Sequence, residues 1–273
     1  MRVSSSSQKG FTIVEILVIV VVGMVLLGLV FDIMGSFYYD NTKSLGRTVQ
    51  DTDTRGSLRI VEAELTNVTG FASSLSVEAP LGNGGGTVWD YRGDDQARRV
   101  LIAKVNATTE SPDSDTNNDR MPVFLPVSGD CSPLVATPAE ISFVYFIAED
   151  PDSPPAPDKL YNLYRRTILP SISNSDYCDG RRPWQKQTCA TGAHDPQGRC
   201  EADDALLLRN IKSFAVEYFS SSNSETPDVT AADSSDKSSI VGGAQSVRVK
   251  VTTTHQLSGQ WNTTDADIRI TRR

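Results

Sequence analysis

The rhythm of hydrophobic and polar positions changes twice along the chain. From Ile16 to Phe31, sixteen residues run without a charge, built of Val, Ile, Leu, Met, Phe and two Gly. Widened to Phe11–Met34, the segment has 24 residues, about 36 Å of α-helix and enough to cross a bilayer's hydrocarbon. Beyond Met34 the pattern turns amphipathic, with Tyr38, Thr42, Leu45, Val49 and Thr52 at spacings of four and three. A second stripe of Leu58, Val61, Leu65, Val68 and Ala72 resumes on a shifted face. No Pro interrupts Phe11 to Ala79. The pattern therefore predicts one continuous helix, with residues 11–34 spanning a membrane and 35–79 its amphipathic continuation.

From Pro80 the period shortens and turn residues multiply. Strands are predicted at Val88–Arg92, Arg98–Val105, Val123–Val127, Ile141–Ala148, Leu160–Leu169 and Ile211–Phe219. The clearest is Ser246–Thr252, where Val247, Val249 and Val251 alternate with Arg248 and Lys250, and Ile268 and Ile270 close the sheet. One long helix followed by spaced strands defines an α+β fold: an N-terminal transmembrane and amphipathic helix packed on an antiparallel β-sheet head at 80–273. The Gly-rich run Leu81–Gly86 lacks the Lys-Ser/Thr of a phosphate loop. Residues 220–239 are Ser/Asp-rich and nearly free of apolar residues, which predicts a flexible loop.

One carboxylate, Glu15, sits one turn inside the apolar helix. An ionisable group in such a segment costs about 2.5–3.5 kcal/mol at its centre and is read first as functional. A cut between Gly10 and Phe11 would create an α-ammonium on Phe11, a partner for Glu15 of a neighbouring subunit in low dielectric. Such a pair sets register more than it stabilises, since a lone partner is costly. The plainer reading is a glutamate at headgroup level in an ordinary anchor.

The flanking residues bear on that choice. A Ser-rich stretch of ten residues carrying Arg2 and Lys9 ends in Lys9-Gly10, before Phe11, Thr12 and Glu15, and no small-residue cleavage site follows the apolar run. Gly10-Phe11-Thr12-x-x-Glu15 with its apolar tail resembles the class III signal of type IV prepilins and pseudopilins. The resemblance implies a leader at 1–10, cleavage after Gly10 by a prepilin peptidase, N-methylation of Phe11 and assembly through Glu15. It also implies a lollipop-shaped subunit, held in the cytoplasmic (inner) membrane by one pass with its head outside. An assembly platform would then move it from membrane lipid into a filament of major and minor pilins.

A looser resemblance covers the rest. Arg55–Leu65, Leu160–Arg166, Leu206–Phe219 and the Val247–Val251 strand are similar, in order, to segments of J-type minor pseudopilins and W-type minor pilins. This implies a low-abundance subunit that initiates or caps a type IV pilus or a type II secretion pseudopilus. A tip adhesin or ligand-binding minor pilin is the alternative, and a membrane-tethered extracytoplasmic binding or enzymatic domain is a rival of another class.

Composition narrows these further. The net charge of −8 over 273 residues is dispersed and argues against nucleic-acid binding. Cys131, Cys178, Cys189 and Cys200 all fall in the head, the last three within 176–200, and an even count outside a membrane favours two disulfides, with three pairings open. Asp113, Asp115, Asn117 and Asp119 alternate as calcium ligands would. They lack the Gly at the sixth position and the Glu at the twelfth, so a solvated acidic loop is the preferred reading and no metal or cofactor is expected. His194 and His255 stand in no catalytic motif, and no enzyme activity is expected. Trp89, Trp184 and Trp261 are either core residues or a sugar-stacking surface.

Overall fold

The computed structural model describes residues 12–76, 88–92, 100–110, 120–155, 158–170, 177–191, 200–230, 233, 235–257 and 260–272. In chain order the elements are α1 (Ile13–Glu64), β1 (Val68–Ala72), β2 (Ser74–Ser76), β3 (Val88–Asp90), β4 (Leu101–Asn106), β5 (Phe124–Leu125) and β6 (Thr137–Pro138). Then follow β7 (Glu140–Glu149), β8 (Tyr161–Ile168), β9 (Thr188–Cys189), β10 (Ala202–Asp203), β11 (Ala205–Phe219), α2 (Ser238–Gly243), β12 (Ser246–Leu257) and β13 (Gln260–Thr271). The architecture is α+β, a long apolar N-terminal helix leading into a mostly antiparallel β head.

Seven strands form one antiparallel sheet in the order β1-β4-β7-β8-β11-β12-β13. Its strands alternate as a pleat requires. On β7, Ile141, Phe143, Tyr145 and Ile147 join the main core with Leu58 and Val61 of α1 and Leu65 just past its end. Val144 and Phe146 face the other way, into a smaller core with Trp89, Ile102, Ile168 and Cys189. A strand apolar on both faces is one covered on both sides. On β12, Val247, Val249 and Val251 are buried while Arg248 and Lys250 pair with Glu217 of β11 at 3.4 and 2.6 Å.

The helix ends at Glu64 rather than at Ala79. Thr66-Asn67-Val68-Thr69-Gly70 joins β-branched residues to Asn and Gly, all poor helix formers. Val68 and Phe71 bury their side chains equally well from a strand, and Val68–Ala72 pairs with β4. Tertiary pairing therefore overrides an apolar spacing that continues at three and four residues.

The expected strand at Val123–Val127 shrinks to Phe124–Leu125, whereas the one expected from Ile211 begins at Ala205. It absorbs register shifts between Leu206 and Leu208 and between Leu208 and Ile211, with Asn210 at φ 58° in the left-handed region that Asn tolerates. Nor do the described residues of 220–239 stand free of the head. Val229 is buried in the main core and exchanges backbone bonds with Tyr218 at 2.9 and 3.2 Å. Asp228, Asp233 and Asp236 close turns by accepting the backbone N–H of Ser220, Thr230 and Ser238. One apolar anchor and three turn-forming aspartates fold a segment whose composition reads as loop.

Candidate assembly site

The first turn of α1 is closed by its own side chains. Glu15 donates its backbone N–H to Thr12 Oγ1 at 3.3 Å, and Glu15 Oε2 accepts from the Thr12 N–H and hydroxyl, both at 3.1 Å. This reciprocal arrangement is a capping box. It places a carboxylate at the positive end of the helix dipole. Its signal, Thr followed three residues later by Glu before an apolar run, lies in the sequence, where Glu15 reads first as a partner for another subunit. Gly10 and Phe11, the expected processing residues, lie outside the described residues.

From there the helix leaves its apolar side chains uncovered. Ile13 is 83% exposed, Phe31 70% and Val49 58%. One stretch of α1 is long and apolar enough to cross a membrane, and none of it is buried against the protein. The first amphipathic stripe, represented by Leu45 and Val49, is exposed too; only the second, from Leu58 onward, enters the core.

The head grips α1 in a graded way. Arg47 donates to Asn262 Oδ1 at 3.1 Å and Gln50 Nε2 to Thr253 Oγ1 at 2.9 Å. Thr54 meets Thr253 at 3.2 Å, and the Ser57 hydroxyl donates to the Leu207 carbonyl at 2.6 Å. Leu58, Val61 and Leu65, each at most 1% exposed, then seal the helix to the sheet. At its last residue, Glu64 accepts from the Tyr145 hydroxyl at 2.8 Å and pairs with Arg165. Burial pushes the Tyr145 hydroxyl's pKa up and the Arg165 guanidinium's down.

The four cysteines pair as Cys131–Cys178 and Cys189–Cys200, with Cα atoms 5.5 and 5.6 Å apart. The first bond ties the segment after β5 to a 3-10 turn at Cys178–Gly180; the second closes the chain between β9 and β10 beneath the smaller core. Trp89 is buried, its ring centroid 4.7 Å from that of Phe146, whereas Trp184 is 41% exposed. Trp261 falls on β13 and His255 on the exposed side of β12. The acidic run Asp113, Asp115, Asn117 and Asp119, the Gly-rich run at 81–86 and His194 all lie outside the described residues.

Residues 5–31 match the family model described as "Prokaryotic N-terminal methylation motif". No curated protein and no solved structure matches the chain. The motif covers the stretch whose geometry stands out most, a capped apolar rod projecting from a β head. Together they support a membrane-anchored, type IV pilin-like protein, and the signal implies processing by a prepilin peptidase and assembly with other pilins.

Proposed function

We propose that this chain is a minor pilin or pseudopilin, a structural subunit that helps initiate or cap assembly of a type IV pilus or type II secretion pseudopilus. The observation that carries this reading is the bare length of α1. Some 50 Å of helix, taken from Ile13 to Gly46 at about 1.5 Å per residue and apolar as far as Met34, emerges from a folded head that covers none of its large apolar side chains. Lipid covers that surface before assembly, and neighbouring helices cover it afterwards, through packing rather than a hydrophobic driving force. Cleavage after Gly10, N-methylation of Phe11 and pairing of Phe11's ammonium with Glu15 of a neighbour belong to the same proposal. So do an orientation with the head outside the inner membrane and a role without catalysis.

The test is incorporation. Replacing Glu15 with Leu should leave membrane insertion intact and reduce recovery of the chain in sheared filaments or in its complex with co-expressed pilins. Undiminished recovery would refute the assembly role of Glu15. A head that is a tethered binding domain alone would be recovered only from membranes, with either residue at position 15.

A further inference from the structure

On the helix side of the sheet, a cavity of about 590 Å³ opens between the last turns of α1, the strands β4, β7 and β8, and the segment 184–188. That volume lies within the ~300–1,000 Å³ usual for small-ligand sites. Its apolar wall is made by Ile60, Ala63, Val105 and Phe143, and Trp184 stands at it half-exposed. Among the described residues, four cations line it, Arg59, Arg120, Arg165 and Lys186, against two acids, Glu64 and Asp203. Glu64 is already committed to Arg165 and Tyr145. A cation excess gathered around one hollow runs against the chain's net charge of −8.

The remaining lining is suited to hydroxyl groups. Asn67, Asn106, Gln185 and Asp203 bring donors and acceptors. The walls offer no place for an added strand, because β4, β7 and β8 are interior strands with both edges already paired.

We propose that this cavity binds an acidic glycan through a carboxylated pyranose. The flat C–H face of the sugar ring lies against Trp184, an aromatic with a large apolar face. Its carboxylate meets the guanidinium and ammonium groups of Arg120 and Lys186, and its hydroxyls meet Gln185, Asn67 and Asp203. Guanidinium favours a planar carboxylate, which selects a sugar acid over a neutral hexose. A binding pocket in the head goes beyond the assembly role and stands or falls separately from it.

The experiment is isothermal titration of the full chain in detergent with tri-galacturonate, with the methyl ester of the same trisaccharide, and with an Asp/Glu hexapeptide. Expected are binding of tri-galacturonate that weakens with salt, and binding of the ester and the peptide weaker by about tenfold or more. Trp184→Ala, and separately Arg120→Ala combined with Lys186→Ala, should each lose about tenfold or more in affinity with the thermal unfolding midpoint unchanged. These variants spare the Arg165–Glu64 tie. No binding of tri-galacturonate, equal binding of ester or peptide, or undiminished binding by the folded Trp184 variant would overturn the proposal.

Discussion

Arg166 and Asp204 form an ion pair shut away from solvent, with side-chain exposures of 0% and 4%. Arg166 Nε donates to both carboxylate oxygens, at 3.0 and 3.2 Å, and Nη2 donates to Oδ2 at 2.5 Å. The Thr188 hydroxyl donates to Oδ1 at 3.0 Å, and the guanidinium lies over the rings of Trp89 and Phe146 at 5.4 and 5.6 Å. A planar fork is thus met along its edge by a carboxylate while its charge lies over two neighbouring aromatic rings. The pair anchors the return of the chain from the Cys189–Cys200 loop into β11.

Breaking it from one side should be costly. Asp204→Asn leaves a guanidinium buried without its counter-charge, and a loss of about 3–5 kcal/mol is expected. Arg166→Met together with Asp204→Leu should lose clearly less. Denaturant titrations of the full chain in detergent, followed by tryptophan fluorescence, measure both; a double variant no more stable than the single one would contradict the account.

The two disulfides should contribute unequally. They enclose separations of 47 and 11 residues, for which chain entropy gives about 4 and 3 kcal/mol respectively. Serine replacement of Cys131 and Cys178 is therefore expected to lower stability more than replacement of Cys189 and Cys200. Unfolding midpoints of the two double variants give the comparison, and an inverted order would locate the stabilisation in native packing around Cys189 instead.

Acid should loosen the segment between β11 and β12 early. The Asp228 carboxyl is held below the ordinary aspartate value of 3.8, first by the Ser220 backbone N–H and then by its hydroxyl. The Thr230 N–H does the same for Asp233, and the Ser238 hydroxyl and N–H for Asp236. A depressed carboxylate contributes stability that is complete above its unfolded value and lost as pH falls through its folded value. Amide exchange at Ser220, Thr230 and Ser238 should thus be independent of this linkage above about pH 5 and accelerate beyond its intrinsic rate below about pH 4. Flat protection factors down to pH 2 would remove these carboxylates from the account.

The cap formed by Glu15 and its proposed part in assembly are separable by mutation. Thr12→Val removes the hydroxyl of the capping box and should cost the first turn about 1 kcal/mol, seen as faster amide exchange at Glu15 and Ile16. It leaves the Glu15 carboxylate in place, so recovery in filaments should stay near wild type while Glu15→Gln lowers it. Equal losses in both variants would mean that assembly depends on the intact first turn rather than on the charge.

Much of this fold is legible in residue order, because long uniform patterns admit one reading. The uncharged run from Ile16 to Phe31 is a helix, and the Val247–Val251 alternation is a half-buried strand, which the structure extends to Leu257. Short or doubly interpretable patterns fare worse. Leu65, Val68 and Ala72 keep helical spacing, yet β4 offers Val68–Ala72 a better partner than another turn of helix. The pairing of four cysteines has three solutions on paper and needs the fold to select one. Arg166 and Asp204 look like surface charges in Tyr164-Arg165-Arg166 and Asp203-Asp204, since nothing local says which member of each charged doublet faces inward. The capping box was present as Thr12-x-x-Glu15, hidden by a more conspicuous meaning for the same acid.

The seam between rod and head has a mechanical consequence. A load drawn along α1 arrives first at the Arg47–Asn262 and Gln50–Thr253 bonds, each a modest net contribution of about 0.5–1.5 kcal/mol. Only past Thr54 does it meet the buried side chains of Leu58, Val61 and Leu65. Under such a load the outer bonds are expected to give way before the packed interior does, like a clasp with a yielding first catch.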